Sequence, residues 1–307
     1  MGRGKAEIGE LRGIIRKHRD GMLKSNVIGS DFSFLNERGE NMIFKIEPMV
    51  YYHFLSPEEN ARLSLTFPMN DFLTSGTFPG IAMVDFERPR DSGKDYWRYV
   101  DSLLGLLEIK GIKVASGHTG NYGNLRSGVA GSMALIGFRK PLFSYARIRK
   151  GDAFFVVGRI GLETRYFYEK KMYGRSEVPI EELSVEKYVV SLLKESKTVH
   201  YIHDLSEGGL IRALQEVAFL NNEGFEINYS SVRHLIGDVN KGSKLSRLSS
   251  SSSGSILVSI GVEHRERFEN IARRNSWPYA EVKRGGKNVR LDGKIVSAED
   301  RFSNLVN

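Results

Sequence analysis

Three aspartates lie where the local sequence predicts the boundary of a structural element: Asp31 at a turn, Asp71 at a helix N-cap and Asp204 at the end of a strand. Carboxylate oxygens are hard ligands that suit Mg²⁺. A divalent ion that bridges such acids to a phosphate removes the repulsion between the two negative groups. The residue types therefore predict metal-assisted chemistry on a phosphate-bearing ligand, and each position also has a structural interpretation.

The pair Asn70-Asp71 lies in the segment 68–79, which ends in small residues, Gly and Pro. Adjacent amide and carboxylate oxygens suit a magnesium ion, but Asn and Asp are also favoured N-cap residues of helices. Asp31 follows Val27-Ile28-Gly29-Ser30, and at this place it could be either a metal ligand or an ordinary turn residue. Both interpretations stay open on the residues alone.

The turn after the apolar run 199–202 carries Asp204, Glu207, Gly208 and Gly209. The paired glycines allow the backbone to approach a ligand closely, and the N-terminus of the helix that follows favours an anion. The two acids fit that place if a divalent ion bridges them to the anion. A serine between the acids offers the alternative of a capping box.

The stretch 115–123 follows a predicted buried strand and contains Gly117, His118 and Thr119. Small residues around one imidazole and one hydroxyl are typical of a loop that faces a ligand. A lone histidine is also commonly structural, and no second histidine at metal-ligand spacing accompanies His118.

The serine-rich stretch 246–254 has low complexity. Its composition predicts a flexible loop ahead of a strand, with a phosphate- or substrate-binding loop as the alternative.

Composition excludes several classes of function. The chain has no cysteine, so a disulfide framework, a thiolate zinc site, an iron–sulfur cluster and a cysteine nucleophile are excluded. The net charge is +8, but the basic residues are scattered, so nucleic acid is not expected as a partner. No apolar run approaches a membrane span and no secretory signal is present. We expect a cytoplasmic protein without membrane contact.

Strand and helix patterns alternate along the whole chain. The first part predicts strands over 42–46, 50–54 and 131–137 and a helix over 95–108. The charged turn 147–152 marks a boundary, and mixed strands and helices follow it. The pattern favours an α+β protein with two domains, residues 1–148 and 149–307.

These stretches together resemble the AIR synthase-related (PurM-like) superfamily. It includes aminoimidazole ribonucleotide (AIR) synthase, formylglycinamidine ribonucleotide synthetase, thiamine-monophosphate kinase, selenophosphate synthetase and the hydrogenase maturation factor HypE. Five segments match its motifs in order over residues 25–300. They are Asn70-Asp71 with Gly76 and Pro79, Gly117-His118-Thr119, Gly151-Asp152 with Gly158 and Gly161, His203-Asp204 with Gly208-Gly209, and Ser253-Gly254.

The resemblance implies a fold and its ligands. An N-terminal α/β domain would join a second copy through its strands, forming a dimeric β-barrel, and an α+β domain would follow it. ATP would lie between the domains, with Mg²⁺ bridging its phosphates to aspartates. The implied partners are a small-molecule substrate and a second copy of the chain.

The resemblance also implies roles for individual residues. Asp31, Glu47, Asp71 and Asp204 match metal-binding positions, and Asp204 with Glu207 would serve catalysis. The positions implied to contact the nucleotide are Asn70, Gly117, His118, Thr119, Gly208 and Gly209.

At several positions this sequence differs from the motifs of the family members whose activities are known. Glu47 stands where the family usually has Asp, and residues 24–27 do not reproduce the lysine-bearing glycine loop of AIR synthase. The pair Ser30-Asp31 replaces the Asp-Asp pair of thiamine-monophosphate kinase. Selenophosphate synthesis and carbamoyl dehydration rely on a thiol or selenol, which this chain lacks.

The leading hypothesis is an ATP- and Mg²⁺-dependent enzyme that transfers the γ-phosphoryl group to a small substrate, or activates an oxygen of it. One alternative is a kinase of the thiamine-monophosphate type. The other is a catalytically reduced, nucleotide-binding dimer that acts as a sensor or assembly factor.

Overall fold

In the computed structural model the described part of the chain forms three β-sheets with helices packed against them. The structure describes residues 17–27, 29–90, 92–121, 128–195, 197–237 and 242–298. Within these ranges no helix combines the length and the apolar character that crossing a membrane requires. The mixture of antiparallel sheets with helices agrees with the α+β class expected from the sequence.

The first sheet lies in the N-terminal region, residues 33–137. Its strands are β1 (Ser33–Glu37), β2 (Glu40–Pro48), β3 (Ile81–Glu87), β4 (Lys113–Gly120) and β5 (Gly131–Gly137). They pair in the order β1-β2-β5-β3-β4, and only the β3–β4 pair is parallel. Arg38 and Gly39 both have positive φ in the two-residue turn between β1 and β2, which is the geometry that a tight hairpin needs.

Two helices, α1 (Pro57–Leu73) and α2 (Asp95–Ile109), pack together beside this sheet. Helix α1 begins with a capping box: the N–H of Glu59 donates to Ser56 Oγ at 3.1 Å, and the N–H of Ser56 donates to Glu59 Oε2 at 3.0 Å. The predicted helix over 95–108 is confirmed by α2.

Helix α1 shows that the N-cap interpretation of Asn70 and Asp71 is wrong, because both residues lie in its last turn. The predicted strand over 50–54 is also wrong, since this segment is irregular and leads into the helix. Most side chains of α1 are buried, including Asn70 and Asp71 themselves. A helix buried on more than one side lacks the single apolar stripe by which a surface helix is recognised.

The other face of the first sheet is open and apolar. Strand pairing places Ile46, Ala134 and Met83 side by side across β2, β5 and β3. The side chains of Ile46 and Met83 are 64% and 43% exposed. Strand β4 forms one edge of the sheet. The five described strands form an open sheet, so the expected β-barrel is not closed within one chain.

The C-terminal region, residues 149–298, holds two further sheets. The larger one contains β6 (Ala153–Val157), β7 (Val199–Leu205), β9 (Ser255–Ile260) and β10 (Tyr279–Glu281). These strands are antiparallel in the order β10-β6-β9-β7. The smaller sheet, in the order β11-β8-β12-β13, contains β8 (Phe225–Ile227), β11 (Lys283–Arg284), β12 (Val289–Leu291) and β13 (Lys294–Ile295).

Six helices accompany these sheets in the described residues. They are α3 (Leu162–Tyr173), α4 (Glu186–Leu193), α5 (Gly209–Asn221), α6 (Tyr229–Val232), α7 (Lys244–Leu248) and α8 (Arg265–Arg274). Short 3₁₀ turns lie between them, one of them at Ile180–Leu183 just before α4.

The serine-rich stretch is buried, so the prediction of a flexible loop is wrong. Its hydroxyls bond to the start of α3: Ser252 Oγ accepts a hydrogen bond from Gly161 N–H at 2.9 Å, and Ser253 Oγ donates to Glu163 Oε2 at 2.8 Å. Small hydroxyl side chains supply these bonds where the backbones approach too closely for larger residues.

The N-terminal and C-terminal regions share an apolar contact. Tyr52 and Leu63 from the first region pack with Leu162, Phe167 and Leu183 from the second. This contact sets helix α1 against α3 and the 3₁₀ turn before α4.

Candidate functional site

Strand β7 carries Asp204 to the boundary between its sheet and helix α5. The strand is buried along most of its length, and Asp204 pairs in register with Ile256 of β9. Gly208, with φ of 78°, caps helix α5 where an L side chain would be strained. Asp204 is therefore fixed next to a helix N-terminus, which is the positive end of the helix dipole.

Asp31 reaches this place from the other end of the chain. The N–H of Asp204 donates a hydrogen bond to Asp31 Oδ2 at 3.2 Å, and both residues are buried. Gly29 lies against helix α5: a Cβ on it would stand 3.2 Å from Glu216 Cβ. Glycine therefore allows the N-terminal segment to approach the helix closely enough to place Asp31.

His203 lies at the centre of this cluster. Its Nδ1 donates to the carbonyl oxygen of Asp204 at 2.7 Å, and its Nε2 faces Gly29 O at 3.2 Å, Asp31 Oδ1 at 3.3 Å and Glu216 Oε2 at 3.6 Å. Since both ring nitrogens face acceptors, the geometry fits the doubly protonated ring. Burial by itself lowers the pKa of His203, but the charges of Asp31 and Glu216 raise it above its ordinary value.

The donor set of this cluster fits a divalent cation. One ligand atom from each of Asp31, His203 and Asp204 lies within 4.8 Å of the other two. The carboxylates of Asp31 and Asp204 supply the hard oxygen ligands that Mg²⁺ prefers. His203 already donates to oxygen through one nitrogen and faces carboxylates with the other, so it orients and balances the acids instead of joining the ligands.

A second acidic group joins strand β2 to helix α1. Lys45 and Glu47 lie two residues apart on the same side of β2, and Lys45 Nζ contacts Glu47 Oε1 at 2.7 Å and forms an ion pair with Asp71. Burial raises the pKa of Glu47 despite the opposing charge of Lys45. Burial by itself lowers the pKa of Lys45, but the charges of Asp71 and Glu47 raise it. The structure thus brings Glu47 and Asp71 together through a lysine.

Asn70 makes its hydrogen bonds to the C-terminal region. Its Nδ2 donates to Leu183 O at 2.9 Å, and its Oδ1 accepts from Val185 N–H at 3.0 Å. The side chain is only 1% exposed. The amide expected to contact nucleotide is therefore held against the backbone between two elements of the other region.

Glu207 lies half-buried in the turn between β7 and α5. Burial, followed by the charges of Glu163 and Glu207, raises the pKa of Tyr52, so these acids act on a tyrosine of the N-terminal region. Gly209 has a φ of 55°, and a Cβ on it would lie 2.4 Å from Ser250 O. The second glycine of the pair is required by this close approach of the serine-rich stretch.

The predicted loop at Gly117, His118 and Thr119 is part of strand β4. These residues pair in parallel with Val84 to Phe86 of β3, and all three are exposed. The expectation of a loop after a buried strand is therefore wrong, because the strand is an exposed edge strand that continues to Gly120. Asp31 and Asp204, by contrast, are buried.

Sequence reasoning missed the cations of the site. Neither Lys45 nor the ring of His203 was expected as an ion-pair partner of the acids, and Glu216 was not expected at all. The alternation of Lys45 with Glu47 on one strand face was a usable signal. The contact of Glu216 with His203 joins β7 to the second turn of α5, which needs the folded chain to be seen.

A family model described as "AIR synthase related protein, C-terminal domain" matches residues 149–290. The phosphoribosylformylglycinamidine synthase subunit PurL of Alkaliphilus metalliredigens is 25% identical over 291 residues, which cover 87% of this chain and 38% of the relative. The chain thus spans about two fifths of the length of this curated relative.

Solved structures share the fold over most of the chain. AaThiL of Aquifex aeolicus, complexed with AMPPCP and TMP, has a TM-score of 0.67 at 19% identity, covering 96% of this chain and 98% of its own. HypE of E. coli, a hydrogenase maturation protein, has a TM-score of 0.67 at 18% identity, covering 85% and 86%. At these identities the similarity shows the fold alone.

Proposed function

Because the chain belongs to the AIR synthase-related superfamily, we propose that it is an ATP- and Mg²⁺-dependent enzyme. It transfers the γ-phosphoryl group of ATP to an oxygen of a small substrate, or activates that oxygen as a phosphate ester. One observation supports this most strongly: Asp31 and Asp204, 173 positions apart in the chain, are held together beside the N-terminus of helix α5.

Asp31 and Asp204 would hold Mg²⁺, and Asp71 and Glu47 supply a second pair of carboxylates. When bound, the metal neutralises the charge of the transferring phosphates. His203 holds Asp31 in place, and Lys45 holds Asp71 and Glu47. These cations keep the acids oriented toward the site without leaving their charges unbalanced.

In this proposal the nucleotide lies between the two regions. Support comes from AaThiL, which has this fold and is complexed with AMPPCP and TMP. Gly117, His118 and Thr119 are exposed on the edge strand, and Gly208-Gly209 begin helix α5; both are proposed to contact the nucleotide. The substrate lies on the side of Asp204 and Glu207. With a hydroxyl acceptor, the new P–O bond forms as the bond to ADP breaks, and Glu207 receives the proton.

Calorimetric titration with a non-hydrolysable ATP analogue and Mg²⁺ tests the proposal. We expect binding to the native chain and weaker binding to Asp204→Asn. Asp101→Asn is the matched control, because Asp101 is exposed on helix α2, away from these acids. The proposal is wrong if the native chain binds no nucleotide at millimolar concentration.

A kinase of the thiamine-monophosphate type is a second candidate, favoured by the match to AaThiL over 96% of this chain. It predicts ADP release with phosphorylation of thiamine phosphate, detected by mass spectrometry. If the chain binds nucleotide but forms no product from thiamine phosphate, this candidate is excluded and the general proposal is not.

A catalytically reduced, nucleotide-binding dimer is a third candidate. The ion pairs of Lys45 with Glu47 and Asp71 favour it, because the lysine already neutralises two acids that would otherwise be available to a metal. Turnover of ATP with any native substrate would remove this candidate.

We further propose that the chain is a homodimer and that its domains meet between residues 148 and 149. The open apolar face of the first sheet, with Ile46 and Met83 exposed, supports a partner surface. An identical face on a second copy would cover it by two-fold symmetry. The edge strand β4 would gain a partner or cover in such a dimer.

A further inference from the structure

We propose that Asn70 is a positioning residue that fixes the N-terminal and C-terminal regions relative to each other, and thereby sets Asp71 relative to Asp204. The inference rests on the proposed function in one respect, since it assumes that acids from both regions serve one site. The role of Asn70 in holding the two regions together follows from its hydrogen bonds and does not depend on the proposed function.

The side-chain amide of Asn70 bonds to backbone groups of the C-terminal region. It donates to Leu183 O and accepts from Val185 N–H, at 2.9 and 3.0 Å, and so bonds to the peptide groups on either side of Ser184. Because Asn70 is 1% exposed, loss of the amide leaves a buried carbonyl and a buried N–H without these partners. Buried hydrogen bonds of this kind are costly to leave unmade.

Two neighbouring residues of helix α1 make different contacts: Asn70 with the C-terminal region and Asp71 with strand β2. Successive residues of an α-helix point about 100° apart. Asn70 therefore points to the C-terminal region, while Asp71 forms its ion pair with Lys45 on strand β2. A shift of the helix against the turn at Leu183 would move Asp71 with it.

The 3₁₀ turn that contains Leu183 also contacts the start of strand β9, which pairs with the strand that carries Asp204. A Cβ on Gly254 would lie 1.9 Å from Glu182 O and 2.9 Å from Leu183 Cα, so the backbones are in direct contact. Gly254 leads into strand β9, whose Ile256 pairs with Asp204. The turn is thus fixed between Asn70 on one side and the neighbour of Asp204 on the other.

Helix α1 also supplies a matched control. Asn60 makes the same type of double contact, with Oδ1 accepting from Tyr52 N–H at 2.7 Å and Nδ2 donating to Tyr52 O at 3.0 Å. Asn60 is buried as well, but the backbone groups that it bonds, at Tyr52, Leu55 and Ser56, all lie within the N-terminal region. Replacing Asn60 removes comparable buried hydrogen bonds that lie within one region, so this variant separates the loss of a buried amide from the loss of the bonds to Leu183 and Val185.

The first measurement is the distance between spin labels on the two regions. Because the chain has no native cysteine, labels can be placed at Ile109→Cys and Glu263→Cys, both exposed. We expect Asn70→Leu to broaden or shift the distance distribution, and Asn60→Leu to leave it unchanged. The proposal would be overturned if Asn70→Leu gave the same distance distribution as the labelled chain that retains Asn70. Asn70→Ala, a smaller change, serves if the leucine variant does not fold.

The second measurement is the binding of Mn²⁺ alone, followed by electron paramagnetic resonance. We expect about tenfold weaker binding for Asn70→Leu and native affinity for Asn60→Leu. Native affinity in both variants would overturn the claim that Asn70 positions the acids. If the unmodified chain binds no Mn²⁺, the proposed function fails, while the label distances still decide whether Asn70 holds the regions together.

Discussion

The backbone N–H of Asp204 donates a 3.2 Å hydrogen bond to Oδ2 of Asp31, a residue 173 positions earlier in the chain. The other oxygen of Asp31 faces His203 Nε2 at 3.3 Å. Both carboxylate oxygens are therefore oriented by the protein. A site whose ligands are already held by such outer contacts needs little rearrangement when its ligand arrives.

Asp31→Asn removes the charge at this position and retains an oxygen that can accept from Asp204 N–H. We expect the affinity for the Mg²⁺ complex of a non-hydrolysable ATP analogue to fall at least about tenfold, measured by calorimetry. Asp101→Asn, on the exposed side of helix α2, should bind like the native chain. Native affinity in Asp31→Asn would show that this carboxylate is not part of the site.

His203→Gln removes the cation between two buried carboxylates, those of Asp31 and Glu216. Breaking a buried ion pair by removal of one partner costs about 3 kcal/mol, so we expect the free energy of unfolding to fall by about that amount. Urea denaturation measures it. Adding Glu216→Gln should cost less in the His203→Gln background than in the native chain, and strictly additive effects would contradict the ion pair.

Local sequence predicted much of the fold. Helix α2 and strand β5 have regular apolar spacing, and both were found where expected. Helix α1 was missed because its polar residues, Asn60 and Asn70 among them, are buried and bond to backbone outside the helix. The serine-rich stretch was misread for the same reason: its hydroxyls are bound to the start of α3, a contact that composition does not reveal.

The acids of the site were predictable, and their partners were not. Asp31 and Asp204 were expected in one cluster, and the structure brings them together. Glu47 and Asp71 were also expected there, but the structure joins them through Lys45. Long-range ion pairs depend on which elements pack together. The spacing of Lys45 and Glu47 on one strand was a usable signal for their contact, but neither spacing nor composition indicated the role of His203.

Glu59 gives the contact between the two regions a dependence on pH. Its carboxylate accepts from Tyr166 Oη at 2.9 Å and forms an ion pair with Lys170. Burial by itself raises the pKa of Glu59, but the bonds from Lys170, Ser56 N–H and Tyr166 lower it below its ordinary value. A carboxyl group whose pKa is lowered by folding stabilises the fold at pH values above its ordinary pKa. This contribution is lost as the pH falls through the lowered pKa.

We therefore expect Glu59→Gln to be less stable than the native chain by a constant amount between about pH 6 and 7, and the difference to shrink below about pH 4. Denaturant unfolding at a series of pH values measures this difference. A gap that widens on acidification would mean that the charge of Glu59 does not stabilise the contact.

Ile46 tests the proposed homodimer, because it is 64% exposed on strand β2 of the open sheet face. In a two-fold dimer across this face, Ile46→Glu would place a carboxylate from each subunit in an apolar contact. We expect the native chain to sediment at twice its monomer mass and Ile46→Glu to sediment as a folded monomer. Ile109→Glu is the matched control, since Ile109 is 83% exposed on helix α2, off this face, and this variant should stay dimeric. A native chain that is monomeric at micromolar concentration, or a variant that remains dimeric, would remove this face as the dimer contact.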